Sequence, residues 1–189
     1  MSERKYPVIT ISREFGAGGH SIARVVSERL GIPYYDRDFA KQAAARSGYS
    51  QEDIDREGEN LSRSARLLDN ILNNSAGYFS SHDAIYQAQK ELILQFAAEQ
   101  DCIIIGRCAD YILRERKDVF NVFVHAPMAY RADRIVRLYG DAERSPEQRL
   151  QDKDKKRRVN YKHYTGRDWG VSQNYHLSLD SADIGVDHC

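Results

Sequence analysis

The 189-residue chain has no apolar run approaching the roughly 20 residues of a membrane span. Its opening stretch, MSERKYPVIT, lacks the long apolar core of a signal peptide. Cysteine is scarce. Cys102, Cys108 and Cys189 are odd in number and have no metal-ligand spacing, so a reduced, cytoplasmic setting is expected. The six histidines are scattered and suggest no metal site. Net charge is absent too: 28 basic residues balance 28 acidic ones. With no overall field to attract nucleic acid or an anionic surface, only local clusters can indicate a partner. There is no internal repeat, linker or composition break, which predicts a single domain over residues 1–189 with a sizeable core.

Against these absences stands a regular alternation. Strand-like apolar runs fall at 8–11, 33–36, 102–106, 119–126 and 175–180. The run CIIIG is apolar throughout, as a strand covered on both faces would be. Helical patterns lie between the runs. One covers 20–30 and stops at Gly31-Ile32-Pro33; another covers 39–47, with Asp38 as cap and Gly48 as stop. Ser50 to Asp53 reads as a capping box. Helices are expected at 62–74 and 83–99, with a break within 70–81, and at 127–139. Ser145-Pro146 opens a further one. Strands alternating with helices predict an α/β fold with a parallel sheet covered on both faces.

The stretch ISREFGAGGHSIA joins the first strand to the first helix through Gly16, Gly18 and Gly19. Such a loop can turn its backbone N–H groups onto an anion at the positive end of the helix. Ser21 can offer its hydroxyl to a phosphate or a magnesium ion. A simple tight turn remains the other reading, because the lysine of a phosphate-binding loop is missing and Gly19 and His20 stand in its place. Arg13 carries the nearest permanent charge, on a planar fork suited to phosphate. Pairing with Glu14 or pointing to solvent is its alternative.

Two more candidates lie where strands end, the edge at which open α/β sheets bind ligands. Asp36, Arg37 and Asp38 follow the second strand, where a plain charged turn is the competing reading. Gly106-Arg107 follows the third, and an arginine there can grip a phosphate bidentately. Cys108 has no histidine near it in sequence to activate it as a nucleophile. Between the last two strands, residues 149–170 gather eight basic side chains, among them Arg157 and Arg158. A solvated face, a nucleic-acid patch and a mobile cationic lid are the readings open to this segment.

In order along the chain, SREFGAGG, YYDR, IIIGR, the basic segment and NYHLSLDSADIG resemble the cytidylate kinase-like family of P-loop nucleoside monophosphate kinase relatives, from residue 9 to 185. The resemblance implies a three-layer P-loop fold, with a five-stranded parallel sheet and a helical lid near 145–170. It also implies transfer of a phosphoryl group from ATP, with Mg2+, to a small phosphorylated acceptor, with a nucleoside monophosphate such as CMP foremost. A nucleotide-binding protein without turnover and a kinase for another small acceptor are its rivals. No membrane or nucleic-acid partner is expected.

By position, Gly16, Ala17, Gly18, Gly19, His20 and Ser21 would hold the ATP phosphates. Asp36, Arg37 and Arg107 would hold the acceptor. Arg13, Arg157 and Arg158 would supply catalytic charge, with Arg13 in place of the lysine. Ser21 and Asp36 are the candidates for magnesium. Cytidylate kinases carry an aspartate that contacts the cytosine where this chain has Cys108, so base reading does not transfer; Asp110 lies near enough to be considered. Relatives continue with one more helix past GVDHC, which implies a truncated or an unusually short C-terminus here.

Overall fold

The computed structural model describes residues 7–36 and 81–189. The predicted helices at 39–47 and 62–74, the Ser50–Asp53 box, the 70–81 break and Arg37 lie outside the described residues. The chain divides into two compact units. One comprises residues 1–36 and 96–189, the other 37–95. The described part of the second unit is helical and belongs to α2 (Ser81–Glu99), which runs on into the first.

The first unit holds five parallel strands in the order β2-β3-β1-β4-β5. They are β1 (Val8–Arg13), β2 (Tyr34–Tyr35), β3 (Cys102–Ile105), β4 (Val119–His125) and β5 (Leu177–Asp180). β1 lies at the centre, with Ile11 opposite Ile105 on one side and Arg13 opposite Val124 on the other. Side chains alternate across the sheet. Ile11, Ile103, Ile105, Val122 and Val124 pack with Ile22 and Ala23 of α1 (Gly19–Leu30) in the main core. On the opposite face Thr10 donates to Asn121 Oδ1 at 2.7 Å, and Tyr175 lies within hydrogen-bonding reach of Ser12.

Among the described residues the other α-helices are α3 (Ala109–Ile112), α4 (Met128–Tyr139), α5 (Pro146–Thr165) and α6 (Ser181–Ile184). Ser145 and Gln148 close a reciprocal capping box at the start of α5, with Pro146 in the first turn, as the sequence predicted. Ala132 and Ile135 of α4 bury with Leu150 of α5, and Phe15 packs against them. The basic segment is therefore a 20-residue helix anchored beside the glycine loop. All three cysteines are free thiols. Among the described residues no helix is long and apolar enough to cross a membrane.

Candidate active site

β1 runs straight into the glycine loop, and the loop into α1. Gly16 and Gly18 take φ of 81° and 87°, a left-handed backbone that a side chain resists. Gly18 caps α1 without a side-chain hydrogen bond, and no acidic residue occupies the first turn. The first intrahelical bond is Ile22 N to Gly18 O at 3.0 Å. The earlier amides of Gly19, His20 and Ser21 have no carbonyl one turn back and are available to an anion.

The loop is held from several sides. Glu14 N donates to Val124 O at 3.0 Å. Phe15 N donates to Asp154 Oδ1 at 2.8 Å, and Ser181 Oγ donates to Ala17 O at 2.7 Å. Arg131 of α4, almost fully buried, is the hub. It donates to Ala126 O at 2.8 Å, to Phe15 O at 3.1 Å and to Asp154 Oδ2 at 2.6 Å, and lies 3.3 Å from Glu14 Oε2. Glu14 is thus engaged with Arg131, and Arg13 turns the other way. Asp154 is buried and anchors α5 to the loop.

Arg13 extends from the end of β1 along Gly19, and its Nη2 lies 3.4 Å from Asp36 Oδ1. His20 Nε2 approaches the other oxygen of Asp36 at 3.7 Å. Burial, then the charge of Arg157, pulls the Arg13 guanidinium down to about 10, still cationic at neutral pH. Arg157 donates to the backbone carbonyl of Arg13 at 2.8 Å and sits 5.7 Å from the centre of the Phe15 ring. Burial lowers its pKa as well; Asp154 opposes that shift and the charge of Arg107 adds to it. Arg157 therefore acts on Arg13 and feels the charge of Arg107, at the carboxyl edge of the central strands.

Arg158 does not join them. It is exposed, and lines a separate groove with Val159, Lys162, His163, Asp168 and Trp169. Arg134, which no sequence motif marks, donates from α4 to Ser21 Oγ at 2.9 Å. With Ser21 so engaged and Asp36 facing Arg13 and His20, neither is an isolated metal ligand. Among the described residues no three His, Cys, Asp or Glu side chains gather to hold a metal.

The turn after β3 is unusual. Gly106, Arg107 and Cys108 have successive φ of 71°, 58° and 55°, and two of the three carry side chains that disfavour this region. The turn leaves the Arg107 charge acting on Arg157 and buries Cys108. Burial pushes the Cys108 thiol up to about 12, the reverse of what a nucleophile needs. Asp110 is also buried. It accepts from Tyr161 Oη at 2.6 Å through Oδ2, while Oδ1 has no partner. Burial raises its pKa, against the Tyr161 hydrogen bond and the charge of Arg167; Tyr175 and Cys108 are the other titratable groups facing this cluster. It is thus enclosed against α5 rather than offered to a ligand.

A carboxyl whose folded pKa is raised contributes stability below its unfolded pKa, and that contribution is lost as pH rises through the folded value. Asp110→Asn, which keeps an acceptor for Tyr161, should therefore gain stability relative to the parent as pH climbs from about 5 to about 8. Urea unfolding at both pH values checks this; a constant difference would mean that Asp110 ionises without penalty.

Five parallel strands, a glycine loop between β1 and α1, and cations at the carboxyl edge define a P-loop kinase fold. The chain belongs to the cytidylate kinase-like family, which it matches over residues 8–183. Among solved structures it is similar to an uncharacterised protein from Eubacterium ventriosum, with TM-score 0.67 and 24% identity over 95% of this chain and 93% of that one. A gluconokinase from Sinorhizobium meliloti shares the fold at TM-score 0.55 and 17% identity, covering 95% and 85%. Shikimate kinase from Acinetobacter baumannii, in complex with shikimate, does so at 0.51 and 17%, covering 93% and 83%. No curated protein matches the chain.

Proposed function

We propose that the protein transfers the γ-phosphoryl group of ATP to a small phosphorylated acceptor, with nucleoside monophosphates as the class and CMP as the first member to test. The observation that carries this reading is the placement of Arg157 against Arg13 beside the open amides of α1, with Arg107 close enough for its charge to act on Arg157. Like charges held together in a partly buried site are costly unless an anion joins them. Two phosphorylated ligands meeting there would supply it.

In the reaction an acceptor phosphate oxygen bonds to the γ-phosphorus. The bond from that phosphorus to the β–γ bridging oxygen breaks, its electron pair leaves with ADP, and the acceptor becomes a diphosphate. An acceptor that is already anionic needs no general base, so the chain's task is positioning and charge neutralisation. The amides of Gly19 to Ser21 bind the donor, with Arg134 steadying Ser21. Arg107 grips the acceptor, and Arg13 and Arg157 face the transferring group. Mg2+ would arrive with ATP and neutralise its phosphates, with Asp36 the carboxylate that would hold it through water.

A second reading, a kinase for a hydroxyl acceptor, is favoured by Asp36, which lies at the acceptor edge where it can take a hydroxyl proton, and by the absence of an exposed base-reading group at Cys108. The shikimate and gluconate kinases that share the fold make those two compounds sensible probes.

The test is ADP release from ATP and Mg2+ across a panel of nucleoside monophosphates, with shikimate and gluconate as hydroxyl acceptors. The expected result is turnover with a monophosphate. Arg107→Ala should then raise the acceptor KM by about 10- to 100-fold, the worth of a charge-assisted phosphate contact, and leave ATP use almost unchanged. ATP binding without ADP release from any acceptor would replace this reading with a non-catalytic nucleotide-binding one.

A further inference from the structure

Gly19, where a lysine is missing, and Gly106, in the turn after β3, both lie against the Arg13 side chain. Gly19 follows the loop at the first position of α1, where its φ is not positive, so backbone freedom does not explain the glycine. Space does. A Cβ at Gly19 would lie 2.7 Å from Arg13 Cγ and 2.8 Å from Arg13 Cβ, closer than packed carbon atoms come. At Gly106 a Cβ would overlap Arg13 Nη1. Gly106 is itself pinned to β1, its N–H donating to Ile11 O at 3.0 Å. The Arg13 side chain thus runs through a slot with Gly19 against its stem and Gly106 against its head. Asp36 lies 3.4 Å from its other terminal nitrogen.

We propose that Gly19 and Gly106 form a slot that holds the Arg13 guanidinium between donor and acceptor, and that Gly106 is a positioning residue for phosphoryl transfer. This rests on the kinase reading above. A lysine at position 19 and an arginine at position 13 exclude each other by volume, so the loop exchanges one cation for the other. The exchange changes reach. The guanidinium lies against the turn that carries Arg107, on the acceptor side, as well as against the start of α1 on the donor side. A cation fixed there before substrates arrive needs no reorganisation as charge moves from one phosphate to the other.

The test compares Gly19→Ala and Gly106→Ala in the parent and in an Arg13→Ala background. In the parent, each should lower kcat by about 10- to 100-fold, the scale of a misplaced catalytic group, with ATP KM altered by less than about threefold. Once Arg13 is alanine, Gly106→Ala should add less than about twofold, because its effect acts through the missing side chain. Arg13→Lys, which has no second terminal nitrogen to collide, should restore part of the activity of Gly106→Ala. Gly31→Ala, at a similar φ of +65° but with open space around its Cβ, controls for backbone strain and should leave kcat unchanged. Gly19→Ala keeps the test available should Gly106→Ala fail to fold, since alanine suits a helical position.

A readout independent of turnover is the Arg13 side-chain Nε–H resonance, assigned by its loss in Arg13→Ala. It should shift in both glycine variants and not in Gly31→Ala. Equal losses of kcat with and without Arg13, or an unmoved resonance, would overturn the slot. A parent that transfers phosphate to no acceptor would instead remove the kinase reading and leave the resonance to decide the slot.

Discussion

Arg13→Ala should lower kcat by about 10²- to 10³-fold while weakening ATP binding by less than about tenfold. The loop amides and the end of α1 hold the donor phosphates in the ground state and remain in the variant. Charge on the equatorial oxygens of the transferring group matters most at the transition state, and that is where the lost cation would act. Folding should change little, because burial disfavours the Arg13 charge and Asp36 meets it only at 3.4 Å. The carbonyl that Arg157 uses belongs to the backbone and survives the substitution. Single-turnover kinetics together with equilibrium ATP titration separate the two effects. Equal losses in kcat and affinity would show that Arg13 binds ATP without favouring the transition state.

Asp154→Ala should have the largest effect on folding, a loss of about 3–5 kcal/mol, because it leaves the buried Arg131 guanidinium without its carboxylate. For a chain of this length that corresponds to a fall in Tm of very roughly 6–20 °C. The same change strips Phe15 N of its acceptor, so the loop loosens together with α5. Replacing both partners, as Arg131→Met with Asp154→Leu, should recover much of the stability and little of the activity. The packing is then restored while the hydrogen bonds that shape the loop are not. Differential scanning calorimetry of the parent and the two variants decides this, and an Asp154→Ala protein as stable as the parent would show that Glu14 alone satisfies Arg131.

The five strands were legible because each is a short apolar run bounded by turn residues, and the start of α5 because Ser145, Pro146 and Gln148 form a local cap. The short helices α3 and α6 were not, since four residues carry no periodicity to read. On α5 the inward face holds Leu150, Asp154, Tyr161 and Thr165. With a carboxylate at a buried position and Arg157 on the same side, hydrophobic periodicity could not separate the arginine that reaches the loop from its exposed neighbour Arg158.

What the sequence determined by itself is local: a first strand leading toward Arg13, a loop whose glycines free the backbone, a helix start with open amides, and charged residues just beyond the ends of β2 and β3. These follow from propensity, turn chemistry and spacing within a few residues. The tertiary structure decided which charges meet. Arg131 reaches Phe15 across 116 positions and Asp154 reaches it across 139, while Arg134 finds Ser21 across 113. Those pairings depend on the strand order that places β4 beside β1, and on the packing of α4 and α5 next to the loop. Desolvation also arises only in the folded chain: it makes Asp154 an anchor and Cys108 an inert thiol, and it brings Arg13 against two glycines 87 residues apart along the chain.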